Sequence, residues 1–275
     1  FILKFMRGIL ITLFFVGTIG YAQNLQSFLS VASFNLSESP FLETYLSFNA
    51  NTLMLEKEKD KYYGEIDVVI KIYSNDLTIF YDHYLLKSPL FDSTNNNIFF
   101  IDQQRIPLKN GEYSIEVKVS DLHHEYEKTH LIQFEIDYSM TSISDIQLID
   151  NYVVASHESI LNKSGYSLSP AVSNFYPPTL NNLIYYFEVY NTHLLNAGKY
   201  FLNTYIESHD TNVPLYNFNK MIRRLSSEVE SNLLEFNIVK LPTGNYNLVC
   251  EIKDIENVSI TTKKIFFQRS NSSSI

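Results

Sequence analysis

Tryptophan does not occur in the 275 residues, cysteine occurs once, and glycine and proline occur eight times each. The lone thiol, Cys250, excludes a disulfide within the chain, so a protein of this make-up has to draw its stability from its core. So few glycines leave little material for phosphate-cradling loops. The chain contains no Gly-x-Ser-x-Gly elbow, no His-Glu-x-x-His, no phosphate loop and no dinucleotide fingerprint. Basic residues are in the minority, 21 against 30 acidic ones, and a surface of net charge −9 repels phosphate backbones and anionic lipid heads. Nucleic-acid binding is thereby excluded as an expectation. Hydrophobic runs are short as well: the longest apolar stretch, Gly8 to Ile19, spans 12 residues, where a membrane-spanning helix needs about 20.

That stretch has its own meaning. Lys4 and Arg7 precede it and Gly20-Tyr21-Ala22 follows it, which is the layout of a secretory signal peptide over residues 1–22, cut before Gln23. The mature chain then holds 19 basic and 30 acidic residues, a net charge of −11, and no membrane-spanning segment.

What is abundant is aromatic and β-branched: 20 Tyr and 20 Phe suit half-buried pleated surfaces. Period-2 alternation dominates. Ile66, Val68, Ile70 and Ile72 alternate with mainly polar neighbours; Tyr113, Ile115, Val117 and Val119 do the same, as do Ile132, Phe134 and Ile136. The stretch Leu108 to Asp121, with Gly111 and Tyr113, recurs 133 residues later as Leu241 to Asp254, with Gly244 and Tyr246. At the same offset Ile132 and Phe134 fall on Ile265 and Phe267. One folding unit occurring twice accounts for this economically. Gly-x-Tyr at the start of a strand resembles the tyrosine corner of Greek-key sandwiches, whose phenol bonds back to the turn backbone, so Tyr113 and Tyr246 are expected to be structural.

The expected fold is all-β: two tandem Ig-like or fibronectin-III-like antiparallel β-sandwich domains, over residues 24–138 and 143–269. Residues 270–275 form a linker-like tail, and a further domain is expected beyond it. Met221, Ile222, Leu225, Val229 and Leu233 lie near helical spacing, yet the repeat places them opposite loop and strand, so strand and loop are expected there. The charged run Glu56 to Lys61 reads as a solvated hairpin tip, and the short junction at Ser139 to Ser142 predicts sandwiches packed end to end with limited swing.

Several segments resemble the N-terminal β region of the bacterial GWxTD-motif proteins, exported proteins common in Bacteroidota. These are Pro40 to Phe48, Ser144 to Leu148, Tyr185 to Asn191, Leu241 to Tyr246 and Phe266 to Asn271. The Gly-Trp-x-Thr-Asp signature, which in that family lies C-terminal to the sandwiches, is absent because the chain has no tryptophan. The resemblance implies a β architecture and a place in the periplasm or outer envelope of a Gram-negative bacterium, without supplying an activity.

Candidate sites are few. His123, His124 and His130, with Glu125 and Glu127, form the most metal-like cluster, but their spacing matches no zinc pattern and a hairpin tip explains them. His157-Glu158 and His209-Asp210 are adjacent pairs, which point to opposite faces of a strand and form no relay. Cys250 takes the inward place of Val117 and reads as a buried, inert thiol. The Asn-x-Ser sequons at Asn35, Asn162, Asn257 and Asn271 are chance matches in a bacterial envelope protein. No catalytic, cofactor-binding or metal residue is assigned. The leading expectation is a non-enzymatic envelope module, a spacer or protein-interaction platform whose partners are proteins or a missing C-terminal domain. One alternative is a carbohydrate-binding accessory module using Tyr176, Tyr185, Tyr186 and Tyr190; the other is an exported hydrolase with scattered carboxylates.

Overall fold

The computed structural model describes residues 25–36, 39–92, 98–171, 173–195 and 197–271. The leader expected over residues 1–22, residues 93–97 and residues 272–275 of the expected tail lie outside them. The N-terminal half holds β1 (Ser27–Leu36), β2 (Ser39–Asn49), β3 (Leu55–Glu58), β4 (Lys61–Ser74), β5 (Leu77–Lys87), β6 (Phe99–Pro107), β7 (Gly111–Asp121) and β8 (Glu127–Ile136). The C-terminal half begins with β9 (Ser142–Ile143), β10 (Gln147–Val154), β11 (Asn162–Lys163), β12 (Tyr166–Pro170), β13 (Phe175–Tyr176) and β14 (Asn182–Tyr190). It continues with β15 (Lys199–Ser208), β16 (Pro214–Leu225), β17 (Val229–Asn237), β18 (Gly244–Lys253) and β19 (Ser259–Arg269).

Alternation decides which side chains enter the cores. In β4 every second residue from Ile66 to Ile72 is buried, and these meet Ile115, Val117 and Val119 of β7 and Leu42, Leu46 and Phe48 of β2. In the C-terminal half Leu183, Tyr185, Phe187 and Val189 of β14 pack against Leu202 and Ile206 of β15 and Leu248, Cys250 and Ile252 of β18. Turn chemistry sets register: β4 and β5 are joined by Asn75-Asp76, both with positive φ (47° and 62°), the conformation of a tight type I′ hairpin that asparagine and aspartate tolerate.

Each half layers two sheets, antiparallel throughout except where the short β13 lies parallel to β19. The first has β1-β2-β6 over β5-β4-β7-β8, and the second has β10-β14-β17 over β16-β15-β18-β19. These shared strand orders correspond, while β3 in the first half and β9, β11, β12 and β13 in the second are additions without a counterpart, and no named strand of one half pairs with a strand of the other. The fold is therefore an all-β sandwich architecture, as its alternation predicts. The ambiguous segment around Met221 is β16 and β17, two strands, because its residues ladder along β15 and β14.

The 133-residue repeat holds at atomic level. Tyr113 pairs across the sheet with Phe134, ring centroids 5.4 Å apart, and Tyr246 with Phe267, 5.7 Å apart. The Tyr113 hydroxyl donates to the Lys109 carbonyl at 2.8 Å and the Tyr246 hydroxyl to the Pro242 carbonyl at 3.1 Å, the same four-residue step back. Each ring crosses its glycine so closely that a Cβ on Gly111 or Gly244 would stand 3.1 Å from the phenol oxygen. Glycine is required for that approach, not for a turn.

One expectation fails. The two sandwiches do not meet end to end. The outward faces of the equivalent sheets lie against each other, with Phe34 of β1 and Tyr45 of β2 packed on Ile149, Leu168 and Tyr186. The cause is that β2 and β14 carry large or charged side chains on the face turned away from their own core, and that face finds its cover in the other half.

Removing the hydroxyl of the more buried corner tests its role: Tyr246→Phe should cost about 1 kcal/mol in urea unfolding. Gly244→Ala should cost more, because the ring must move. Unchanged midpoints in both variants would show the corner to be idle.

Candidate functional site

The strongest concentration of buried polar chemistry lies in the seam between the sandwiches. Alternation along β2 turns Leu42, Leu46 and Phe48 inward and Glu43 and Tyr45 outward. Glu43 is nevertheless fully buried. Its Oε1 accepts from Arg105 Nε at 2.7 Å, contributed by the neighbouring β6. Its Oε2 accepts from Lys163 Nζ at 2.6 Å, contributed by β11 of the other half, and from the Tyr45 hydroxyl. Arg105 also donates to the Ile160 carbonyl across the seam at 2.6 Å.

Lys163 is held from every side. Its ammonium donates to Gln147 Oε1 at 2.7 Å and lies 3.5 Å from the centroid of the Phe34 ring, a cation–π contact made inside the seam. Burial pushes this amine down to about 8, against the pull of the Glu43 carboxylate. Burial also raises the Tyr45 phenol, with the Glu43 charge adding to the effect, so that hydroxyl remains a donor.

A second carboxylate closes the seam from the C-terminal side. Glu188 Oε1 accepts from the Tyr186 hydroxyl and its Oε2 from the Tyr190 hydroxyl, so three alternate residues of β14 form one hydrogen-bonded row. The Tyr190 oxygen in turn accepts from the Asn35 N–H at 2.9 Å, and its ring meets Tyr138 edge-on, inside the core of the N-terminal half. Asp145 completes the contact. Its carboxylate accepts from the N–H and hydroxyl of Ser33 at 2.8 Å each, while its own N–H donates to the Ser33 carbonyl. Removing one member of such a set strands a buried charge, which costs roughly 3–5 kcal/mol, whereas the intact set competes evenly with apolar packing.

The residues singled out by sequence behave differently. The three histidines diverge: His124 stacks on Tyr126 at 3.7 Å, His130 bonds Ser27 Oγ at 2.8 Å, and His123 turns toward Glu56 and Glu65. His157 bonds the neighbouring Ser156 hydroxyl, and His209 bonds Asn247. Cys250 is fully buried where Val117 sits in the first half, and burial pushes its thiol up. The four tyrosines of the carbohydrate reading are closed off: Tyr176, Tyr185, Tyr186 and Tyr190 are 3%, 0%, 1% and 1% exposed. No sugar can stack on them, and that platform is withdrawn. A groove beside Asp76, Glu112 and Glu135 gathers carboxylates, but all three stand exposed on its rim, unlike a buried general acid facing a nucleophile.

Sequence reasoning missed the seam. A signal was present in Leu183-Ile-Tyr-Tyr-Phe-Glu-Val-Tyr190, a nearly unbroken apolar run, which marks a strand covered on both faces.

No protein-family model matches the chain, and no curated protein matches it either. Among the described residues no helix is long and apolar enough to cross a membrane.

The Lys163 amine gives the seam a pH signature. Its folded value, about 8, lies below the ordinary 10.5, so across that window the unfolded chain binds more protons than the folded one. Stability attributable to this group therefore rises with pH between the two values. Wild type should gain on Lys163→Met by on the order of 3 kcal/mol at most across the window, read by urea unfolding at a series of pH values. A difference that does not vary with pH would disprove the assignment.

Proposed function

We propose that the chain is an exported, non-enzymatic module of the cell envelope, in which two copies of one fibronectin-III-like sandwich are clamped into a stiff spacer or protein-interaction platform. The observation that carries this reading is the seam itself: Glu43, Arg105 and Lys163, from three strands and both halves, share one desolvated carboxylate. A freely swinging junction exposes polar, wet surfaces; this one buries charge. A spacer needs fixed length and direction, and a seam of this kind supplies both.

The leader layout of residues 1–22 and the resemblance to the N-terminal β region of the GWxTD-motif proteins support the envelope location, periplasm or outer envelope of a Gram-negative bacterium. The partners of such a platform are proteins or a further domain of the same polypeptide.

Small-angle scattering of the mature chain should follow the profile of one rigid body, and the double variant Glu43→Ala/Lys163→Ala should lengthen it. A wild-type profile that requires two independently moving bodies would remove the spacer reading. Intact mass of the protein from the periplasmic fraction of a Gram-negative host should begin at Gln23; cytoplasmic protein retaining residues 1–22 would remove the export reading.

A further inference from the structure

Glu56, Glu65 and His123 come together from three separate elements of the N-terminal sandwich, β3, the start of β4 and the turn after β7. Their ligand atoms all lie within 4.8 Å of one another. The register of the β3–β4 hairpin sets Glu56 opposite Tyr63 and Leu55 opposite Gly64, so Glu56 and Glu65 are diagonal neighbours on one face. Two like charges placed there repel each other. His123 Nε2 stands over both, 3.1 Å from Glu65 Oε2 and 3.3 Å from Glu56 Oε1. A neutral imidazole has at most one proton on that nitrogen and cannot balance two carboxylates.

We propose that these three side chains bind a divalent transition cation, with Zn²⁺ the best fit. One nitrogen and two oxygens suit zinc, whose bonds of about 2.0–2.2 Å place adjacent ligands of a tetrahedron about 3.3 Å apart. The two imidazole-to-carboxylate separations, 3.1 and 3.3 Å, match two edges of such a tetrahedron, and the carboxylates lie within 4.8 Å of each other. A calcium site would call for more oxygens and no nitrogen. The fourth position opens to solvent and takes water.

The ligands are held by other groups, as metal ligands generally are. The Tyr63 hydroxyl donates to Glu56 Oε2 at 2.8 Å, which leaves Oε1 free to face His123. Buried Asp121 accepts from the His123 N–H with Oδ1 at 3.0 Å and from the Met54 N–H with Oδ2 at 2.6 Å. It thereby fixes the turn after β7 to the approach of β3. The Leu122 N–H donates to the Glu65 carbonyl at 3.0 Å, tying the same turn to β4. These bonds fix the backbones that present the ligands without using the ligand atoms. The repeat shows the arrangement to be particular to the first half: the corresponding turn of the second, Ile255 to Thr262, contains no histidine. Metal binding therefore adds something to the N-terminal sandwich that the duplicated scaffold does not require, and it is independent of the spacer reading.

The test is calorimetric titration of Zn²⁺ into the untagged full chain at neutral pH, with Co²⁺ absorption as a reporter of ligand geometry. One equivalent should bind. His123→Ala and Glu65→Gln should each weaken binding by about tenfold or more, and Tyr63→Phe by a smaller factor. His124→Ala and His130→Ala should leave it unchanged, and circular dichroism of each variant controls for folding. Absence of saturable binding up to roughly millimolar Zn²⁺, or binding that survives His123→Ala and Glu65→Gln, would overturn the proposal, as would loss in a folded His124→Ala or His130→Ala variant.

Discussion

The Glu43 carboxylate is the point on which the arrangement of the two sandwiches depends. It has no solvent and three donors, one from its own strand, one from the neighbouring β6 and one from the other half. A buried carboxylate is tolerable only while its oxygens are supplied with donors. Loss of Lys163 or Arg105 would leave that charge short of partners in a low-dielectric surrounding, so the set favours one relative position of the two halves. Apolar packing of Phe34, Tyr45, Ile149, Leu168 and Tyr186 around this group supplies attraction; the charge set supplies register.

The seam is built from the two equivalent sheets. Duplication of a unit gives two copies of the same outward face, β1-β2-β6 and β10-β14-β17, and these are the faces that meet. They are chemically different. The first offers an acid and an arginine, Glu43 and Arg105, while around the second Lys163, Gln147 and the Tyr186-Glu188-Tyr190 row do the pairing. The inward faces, by contrast, keep the same pattern in both halves, down to the phenol corner and the phenylalanine paired with it across the sheet. The cores of the two halves are thus alike, and their outward faces are not.

Much of the fold is legible in the sequence. The strands around Ile66, Ile115 and Leu248, the place of Cys250 opposite Val117 and the two corners at Tyr113 and Tyr246 all follow from alternation and from the offset of 133 residues. The seam was not legible. Period-2 reasoning assigns Glu43 and Tyr45 to a wet face, since it recognises only one core per sheet. Nor could the trio of Glu56, Glu65 and His123 be found by spacing: its members lie 9 and 58 residues apart in order, and the histidine cluster that draws the eye, His123, His124 and His130, disperses because neighbouring residues leave a turn in different directions.

The sequence by itself determined an all-β architecture of repeated units, because side-chain parity along a strand and glycine beneath a ring are local properties that each copy satisfies alone. Only the tertiary structure decided which outward face would be covered and which charges would meet. Contacts such as Glu43 with Lys163 or Ser33 with Asp145 join residues 120 and 112 positions apart. No local pattern encodes such a meeting; it arises when two finished sandwiches compete with water for each other's polar groups.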